Sequence, residues 1–251
     1  MSGKSHPLEG LLQELMLHRK LSEADQQAVL ALPVRIRMLD AAQYLVREGA
    51  MPTSCSVLLD GYAFRQKVTG DGSRQILAVC IPGDAVDLQN MFLNIADHSV
   101  QMLTRGMVGD IRREDLQELV LSRSEVGAAI IQMTLIEASI LREWVVNVGR
   151  RDARERLAHL LCEFAVRLEN RGLAKPGGFE LPMTQEQLAD ATGLTPVHVN
   201  RVLKSLEADG LIVRKRRHIE FDSWRNLQVE GDFSRQYLHL PAEDVVAETQ
   251  R

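Results

Sequence analysis

The residues best suited to chemistry cluster between positions 184 and 221. Thr184 precedes Gln187 by three positions, the reciprocal spacing of a capping box, and Leu188, Ala189 and Ala191 continue a helical apolar pattern. Gly193 stands where a tight turn must join two helices. Thr195 supplies a second N-cap, Pro196 fits the first helical position, and Gly210 closes the helix after Val199, Val202, Leu203 and Leu206. Pro196, Val197, Asn200, Arg201 and Lys204 fall away from that apolar face. Arg and Asn presented this way can pair with guanine and adenine edges. The spacing therefore predicts a helix-turn-helix whose second helix enters the DNA major groove. Taken alone, the two helices also fit an αα-hairpin in a core, but the residues that follow favour the DNA reading. Leu211-Ile212-Val213 and His218-Ile219-Glu220-Phe221 read as strands around the turn Arg214-Lys215-Arg216-Arg217. Residues 195–218 hold six Lys/Arg and two acids, a local net of +4. A basic hairpin there is a wing, placed to neutralise phosphates and release their counterions.

The elements that must position this segment come earlier. The chain has 251 residues, 45% apolar and 25% charged, with 30 Lys+Arg against 34 Asp+Glu and a net charge of −4. That is ordinary globular composition for one or two domains. Leu8, Leu11, Leu12 and Leu15 predict a first short helix and Ser22-Glu23-Ala24-Asp25 the start of a second, ended by Pro33. From Val34 to about Asp110, short apolar runs (Gln43–Val46, Ser56–Leu59, Tyr62–Val68, Gln75–Ile81, Val100–Leu103, Met107–Ile111) alternate with Gly/Asp turns, which predicts an antiparallel sandwich or barrel. After Arg112 the pattern turns helical. Val126, Ile130, Met133, Ile136, Ile140, Trp144, Val145 and Val148 form a stripe wider than a surface helix needs, so this helix packs either on its own domain or on its copy in a dimer. A second amphipathic helix, Asp152 to about Glu169, follows a break near Gly149, and Lys175-Pro176-Gly177-Gly178 is the clearest loop.

With both halves in view, the sequence resembles the Crp/Fnr family of bacterial transcription regulators over about residues 10–225. Met183-Thr184-Gln185-Glu186-Gln187-Leu188-Ala189, Gly193-Leu194-Thr195, Val199-Asn200-Arg201-Val202-Leu203-Lys204-Ser205-Leu206 and Gly210-Leu211-Ile212 match its helix-turn-helix, and Gly49, Gly61, Gly72 and Gly83-Asp84 match the spaced turns of its sensor domain. The resemblance implies an α+β chain. A helical lead-in and jelly-roll, cyclic-nucleotide-binding-like sensor occupy 1–117, a dimerisation helix 118–149 and a winged helix-turn-helix 150–225; residues 226–251, with Pro241 and several acids, lie beyond the resemblance and their composition predicts a partly ordered C-terminal tail. The residues add three expectations: the longest charge-free stretch in the later half, 126–136, is too short to span a membrane, the scattered cysteines fit a reducing cytoplasm, and no nucleophile–base or metal motif points to an enzyme. The resemblance also implies a homodimer acting on a palindromic site in double-stranded DNA, with RNA polymerase as a further partner. Dimerisation falls to Ile130, Met133, Ile140 and Trp144. Base-edge contacts fall to Pro196, Val197, Asn200 and Arg201, phosphate contacts to Thr195 and His198, and Thr184, Lys204, Arg214, Lys215, Arg216 and Arg217 complete the DNA face.

The departures from the family pattern bear on the effector. Members that bind cyclic AMP carry Gly-Glu and then Arg-Ser or Arg-Thr, the Arg gripping the cyclic phosphate. Here Gly83-Asp84 is followed by Ala96-Asp97-His98-Ser99, and a neutral His beside an acid is a poor phosphate ligand. Gly83, Asp84, His98 and Ser99 thus mark the candidate effector pocket without the cation that a cyclic nucleotide needs, so a regulator that does not bind cyclic AMP is favoured over a cyclic-nucleotide-responsive one or a ligand-binding sensor module. No cysteine precedes Cys55, which excludes the N-terminal iron–sulfur cluster of other members and leaves no metal or cofactor assigned. The three cysteines, Cys55, Cys80 and Cys162, lie too far apart for a C-x-x-C cluster and give no disulfide framework. Cys80 and Cys162 sit in apolar runs and read as buried small hydrophobes.

Overall fold

The computed structural model of the chain describes residues 6–241; the start of the chain and the acidic end of the expected tail, 242–251, lie outside the described residues. Two helices lead in, α1 (Glu9–His18), which buries Leu11, Leu12 and Leu15, and α2 (Glu23–Leu30), capped by Ser22 accepting the Asp25 N–H. Seven strands follow: β1 (Val34–Leu39), β2 (Tyr44–Val46), β3 (Ser54–Leu58), β4 (Ala63–Val68), β5 (Arg74–Cys80), β6 (Ser99–Met102) and β7 (Gly106–Arg112). They form two antiparallel sheets with orders β1-β7-β3 and β2-β6-β4-β5, the crossed connections of a jelly roll. Val46, Leu58, Ala63, Cys80, Val100, Met102 and Val108 fill the space between them. β1 was not among the expected apolar runs, because its Ile36 and Met38 alternate with arginines and remain exposed.

The long helical stretch is broken once. α3 (Arg113–Ser122) ends at Arg123, whose extended backbone (φ −120°, ψ 92°) separates it from α4 (Ser124–Arg150). By length and composition α4 could cross a membrane, but one of its faces is packed inside the protein. Val126, Ala129, Ile130, Met133, Ile136 and Trp144 are buried inside the protomer, and Glu137 midway along is ion-paired with Arg65. Ile131, Leu135, Leu141, Val145 and Val146 remain exposed. The expected dimerisation residues therefore need correcting. Ile130, Met133 and Trp144 are consumed by the protomer's own core, Ile140 packs against that core, and the outward apolar face lies on the neighbouring positions. The error is one of phase: with apolar residues on both faces, helical periodicity cannot say which stripe faces inward.

The rest of the chain is built on α5 (Ala153–Asn170), which starts with a capping box between Asp152 and Glu155. After it come β8 (Gly178–Glu180), α6 (Gln185–Thr192), α7 (Pro196–Ala208), β9 (Ile212–Lys215), β10 (His218–Phe221) and α8 (Trp224–Glu230), with strand order β8-β10-β9. One apolar cluster joins this half to the sensor: Phe64, Ile76, Val79 and Leu103 of the jelly roll pack with Trp144 and with Leu157, Leu161, Phe164 and Leu188. Residues 226–241 are not the partly ordered tail that their composition predicts. Helix α8 and a 3-10 turn, Arg235–Leu238, return over α5, burying Leu227 and Leu238. His159 donates from Nδ1 to the Gly231 carbonyl at 3.0 Å, in the neutral form that burial favours by lowering its pKa. The Tyr237 hydroxyl lies 2.8 Å from Glu163 Oε2 and 3.0 Å from His159 Nε2, and Trp144 Nε1 donates to Glu163 at 3.0 Å.

Candidate nucleic-acid interface

Both helices of the interface begin as the sequence dictates. Thr184 accepts the Gln187 N–H, and Gln187 in turn bonds the Thr184 N–H, so two otherwise orphaned donors are satisfied. Gly193 ends α6 in the left-handed region (φ 66°), where a side chain would be strained. Thr195 caps α7 by accepting the His198 N–H, and Pro196 occupies the first turn. Val199, Val202, Leu203 and Leu206 are buried beneath α7.

The opposite face of α7 is open. Pro196, Val197, Arg201 and Lys204 are exposed, Val197 at 81%, an unusual exposure for an isopropyl side chain. Asn200 is half-buried, its Oδ1 3.4 Å from the Gln185 amide on α6. Thr184, Thr195 and half-buried His198 sit at the N-terminal ends of the two helices. The wing is the β9–β10 hairpin, with Arg216 and Arg217 exposed at its tip. Arg216 takes a φ of 60°, a conformation in which Gly or Asn is usual, so a cation is kept there despite the strain.

Two of the expected wing residues are otherwise engaged. Arg214 is ion-paired with Glu207 of α7, and that hydrogen bond holds the Glu207 carboxyl below its ordinary pKa. Arg214 therefore joins the wing to the recognition helix and is not a free phosphate ligand. Lys215 pairs with Glu220 at 2.9 Å but is largely exposed. Among the described residues, no ion pair involves Arg201, Lys204, Arg216 or Arg217. These side chains can exchange water for phosphate or base contacts without breaking an internal partner.

The candidate effector residues do not converge. Ser99 Oγ accepts the Glu48 N–H at 2.9 Å. His98 is buried and its Nδ1 lies 2.8 Å from Asp97 Oδ1, with burial lowering the imidazole pKa. Asp84 points elsewhere, accepting from Arg167 of α5 at 2.8 Å and from Arg171, just past its C-terminal end, at 3.0 Å. The expected pocket of Gly83, Asp84, His98 and Ser99 is corrected accordingly: Asp84 serves the joint between the two halves of the chain. Nothing local in the sequence marks Arg167, Arg171 or Glu163, since a charged residue on a helix looks the same whether it meets solvent or another domain, and nothing local ties Tyr237 to them. Cys55, Cys80 and Cys162 are all buried, and burial pushes the Cys55 and Cys80 thiols up to about 12.

A jelly-roll sensor, a long connecting helix and an exposed recognition helix with a basic wing define a winged helix-turn-helix regulator. Comparison with known proteins agrees. Residues 36–123 match the cyclic nucleotide-binding domain and residues 155–229 the Crp-like helix-turn-helix domain. The transcriptional activator protein FnrL of Cereibacter sphaeroides is 32% identical over 203 residues, covering 79% of this chain and 81% of that protein. The nitrogen fixation regulation protein FixK of Azorhizobium caulinodans is 29% identical over 156 residues, 62% of each. FixK2 from Bradyrhizobium japonicum shares the fold with a TM-score of 0.72 at 24% identity, over 79% of this chain and 98% of its own. The chain belongs to the Crp/Fnr family of transcription regulators.

Proposed function

We propose that this regulator acts as a cytoplasmic homodimer on a palindromic DNA site and that its sensor domain does not bind cyclic AMP. The observation that carries the reading is the open face of α7, with Val197, Arg201 and Lys204 exposed beside Arg216 and Arg217 of the wing. Arg201 pairs with guanine, Asn200 reads adenine, and Val197 contacts a thymine methyl. Thr184, Thr195, Pro196 and His198 line the approach to the backbone, and RNA polymerase is the protein partner at the promoter.

The dimer reading is supported by the exposed face of α4. Ile131 and Leu135 line an apolar groove of about 640 Å³ with Met91, Phe92, Leu93 and Leu121, and Val145 and Val146 extend the stripe. A second copy of α4 is its occupant, because two-fold symmetry places the same stripe against itself. Against cyclic AMP stand the commitment of Asp84 to two arginines and the buried, Asp97-bonded His98. The test is selection of binding sites from random DNA by the purified protein without ligand, with calorimetric titration of cyclic AMP alongside. Recovery of an inverted repeat with guanine in each half-site is expected. Failure to enrich any sequence, or micromolar cyclic AMP binding, refutes the corresponding part.

A further inference from the structure

The corner Gly83-Asp84 carries a carboxylate of the sensor domain onto the first helix of the DNA-binding domain. Asp84 Oδ2 accepts the Ile81 N–H at 2.9 Å and Arg167 Nη2 at 2.8 Å, while Oδ1 accepts Arg171 Nη2 at 3.0 Å. Arg167 also donates to the Val79 carbonyl at 2.8 Å, and Arg171 pairs with Glu14 of α1 at 2.6 Å. The backbone is shaped to admit these cations. Gly83 has a φ of 96°, and a Cβ there would lie 2.2 Å from Arg171 Nη1 and 3.1 Å from the Gly10 carbonyl oxygen. Arg171 is 8% exposed, and a cavity of only about 70 Å³ beside the cluster is lined in part by Leu238 and Leu240 of the C-terminal segment. These ion pairs therefore act in a poorly hydrated setting, where geometry is held more tightly than at a surface.

The far end of α5 is fastened to the DNA-reading elements. Arg156 Nη1 donates to the Thr192 carbonyl at the end of α6 at 2.9 Å, and Arg154 bonds Ser205 Oγ of α7 and Glu230 of α8. An 18-residue helix is a lever of about 27 Å, so a 10° pivot about Asp84 displaces its other end by about 5 Å. Half-sites one turn of DNA apart tolerate no such error in the placement of two recognition helices.

We propose that Asp84 is a positioning residue for DNA binding: through Arg167 and Arg171 it sets the angle of α5 to the sensor, and so the spacing of the two recognition helices. This rests on the dimer reading above. The test compares full-length wild type, Asp84→Ala, Asp84→Asn, Arg167→Met/Arg171→Met and the triple variant on the selected inverted repeat and on DNA with one half-site. Wild type should prefer the full site strongly. Asp84→Ala should weaken full-site binding about tenfold and half-site binding less than twofold, and adding it to the double arginine variant should change nothing further. Asp84→Asn keeps an acceptor for the Ile81 N–H and should show the same selective loss, about fivefold, even if the alanine variant does not fold. Equal losses on both DNAs indicate a merely structural role and overturn the proposal, as does an Asp84 effect that persists without the arginines. A wild type with no full-site preference overturns the dimer reading and the proposal with it, whereas a preference retained in both Asp84 variants overturns the positioning role alone.

Discussion

Replacing Tyr237 by phenylalanine removes one hydroxyl and leaves the ring stacked on His159, with centroids 5.7 Å apart. The hydroxyl proton serves Glu163 Oε2 at 2.8 Å and faces His159 Nε2 at 3.0 Å. Glu163 is only 2% exposed, and its remaining donor at hydrogen-bond distance is the Trp144 indole, with Arg167 further away at 3.9 Å. Removing one partner of a buried acceptor costs about 1–3 kcal/mol, so Tyr237→Phe should destabilise the protein by about 2 kcal/mol. For a chain of this size that lowers Tm by about 4–8 °C. Urea unfolding followed by circular dichroism and by tryptophan fluorescence measures it. Combined with Glu163→Gln, the cost should be non-additive by at least about 1 kcal/mol, because both changes remove the same bond. A Tyr237→Phe effect below about 0.5 kcal/mol, or strict additivity in the cycle, would refute the reasoning and return residues 231–240 to the status of a tail.

Other consequences can be checked separately. Arg201→Ala should cost about 1–3 kcal/mol on the selected site and relax discrimination at one base pair, measured by competition among single-base variants. Arg216→Gln with Arg217→Gln should weaken binding to every sequence and reduce the log–log salt slope by nearly one unit per residue; an unchanged slope removes the wing from the phosphate interface. Burial raises the Asp87 carboxyl from 3.8 to about 7 against the Ser56 N–H and Arg65. Its stabilising protonated form is therefore complete below pH 4 and lost as pH rises through about 7. Asp87→Asn should accordingly flatten the pH dependence of stability across that window by about 4 kcal/mol, with Asn90 Oδ1, at present unpartnered, available to the new amide. The buried thiols should react with a disulfide reagent far more slowly in the native protein than in urea, and rapid labelling of the folded protein would count against their burial.

The helix-turn-helix could be read in the sequence because its determinants are local. Thr184 with Gln187, Thr195 with Pro196, and Gly193 and Gly210 act within a few residues of themselves, and each does so in the structure. The jelly-roll strands were legible from Gly/Asp turns, except for β1, whose arginines mask the alternation. What was not legible depends on partners distant in sequence. Whether Ile130 or Ile131 faces inward, whether Arg214 meets a phosphate or Glu207, and whether Asp84 meets an effector or Arg167 are each decided by which other element packs there. The aromatic residues Phe233 and Tyr237, with Trp224 just ahead of the tail, were the one signal that the tail folds back. Large rings in a solvated tail would gain nothing, whereas here they form a chain of ring contacts ending on His159.

The apolar cluster shared by the jelly roll and the DNA-binding half makes this chain a poor source of interchangeable parts. Cutting it near residue 151 would leave Phe64, Ile76, Val79 and Leu103 facing water on one fragment and Leu157, Leu161 and Phe164 on the other. Grafting its winged helix onto another sensor therefore means importing a matching β4–β5 surface as well, and recombination between relatives should succeed only where that seam travels whole.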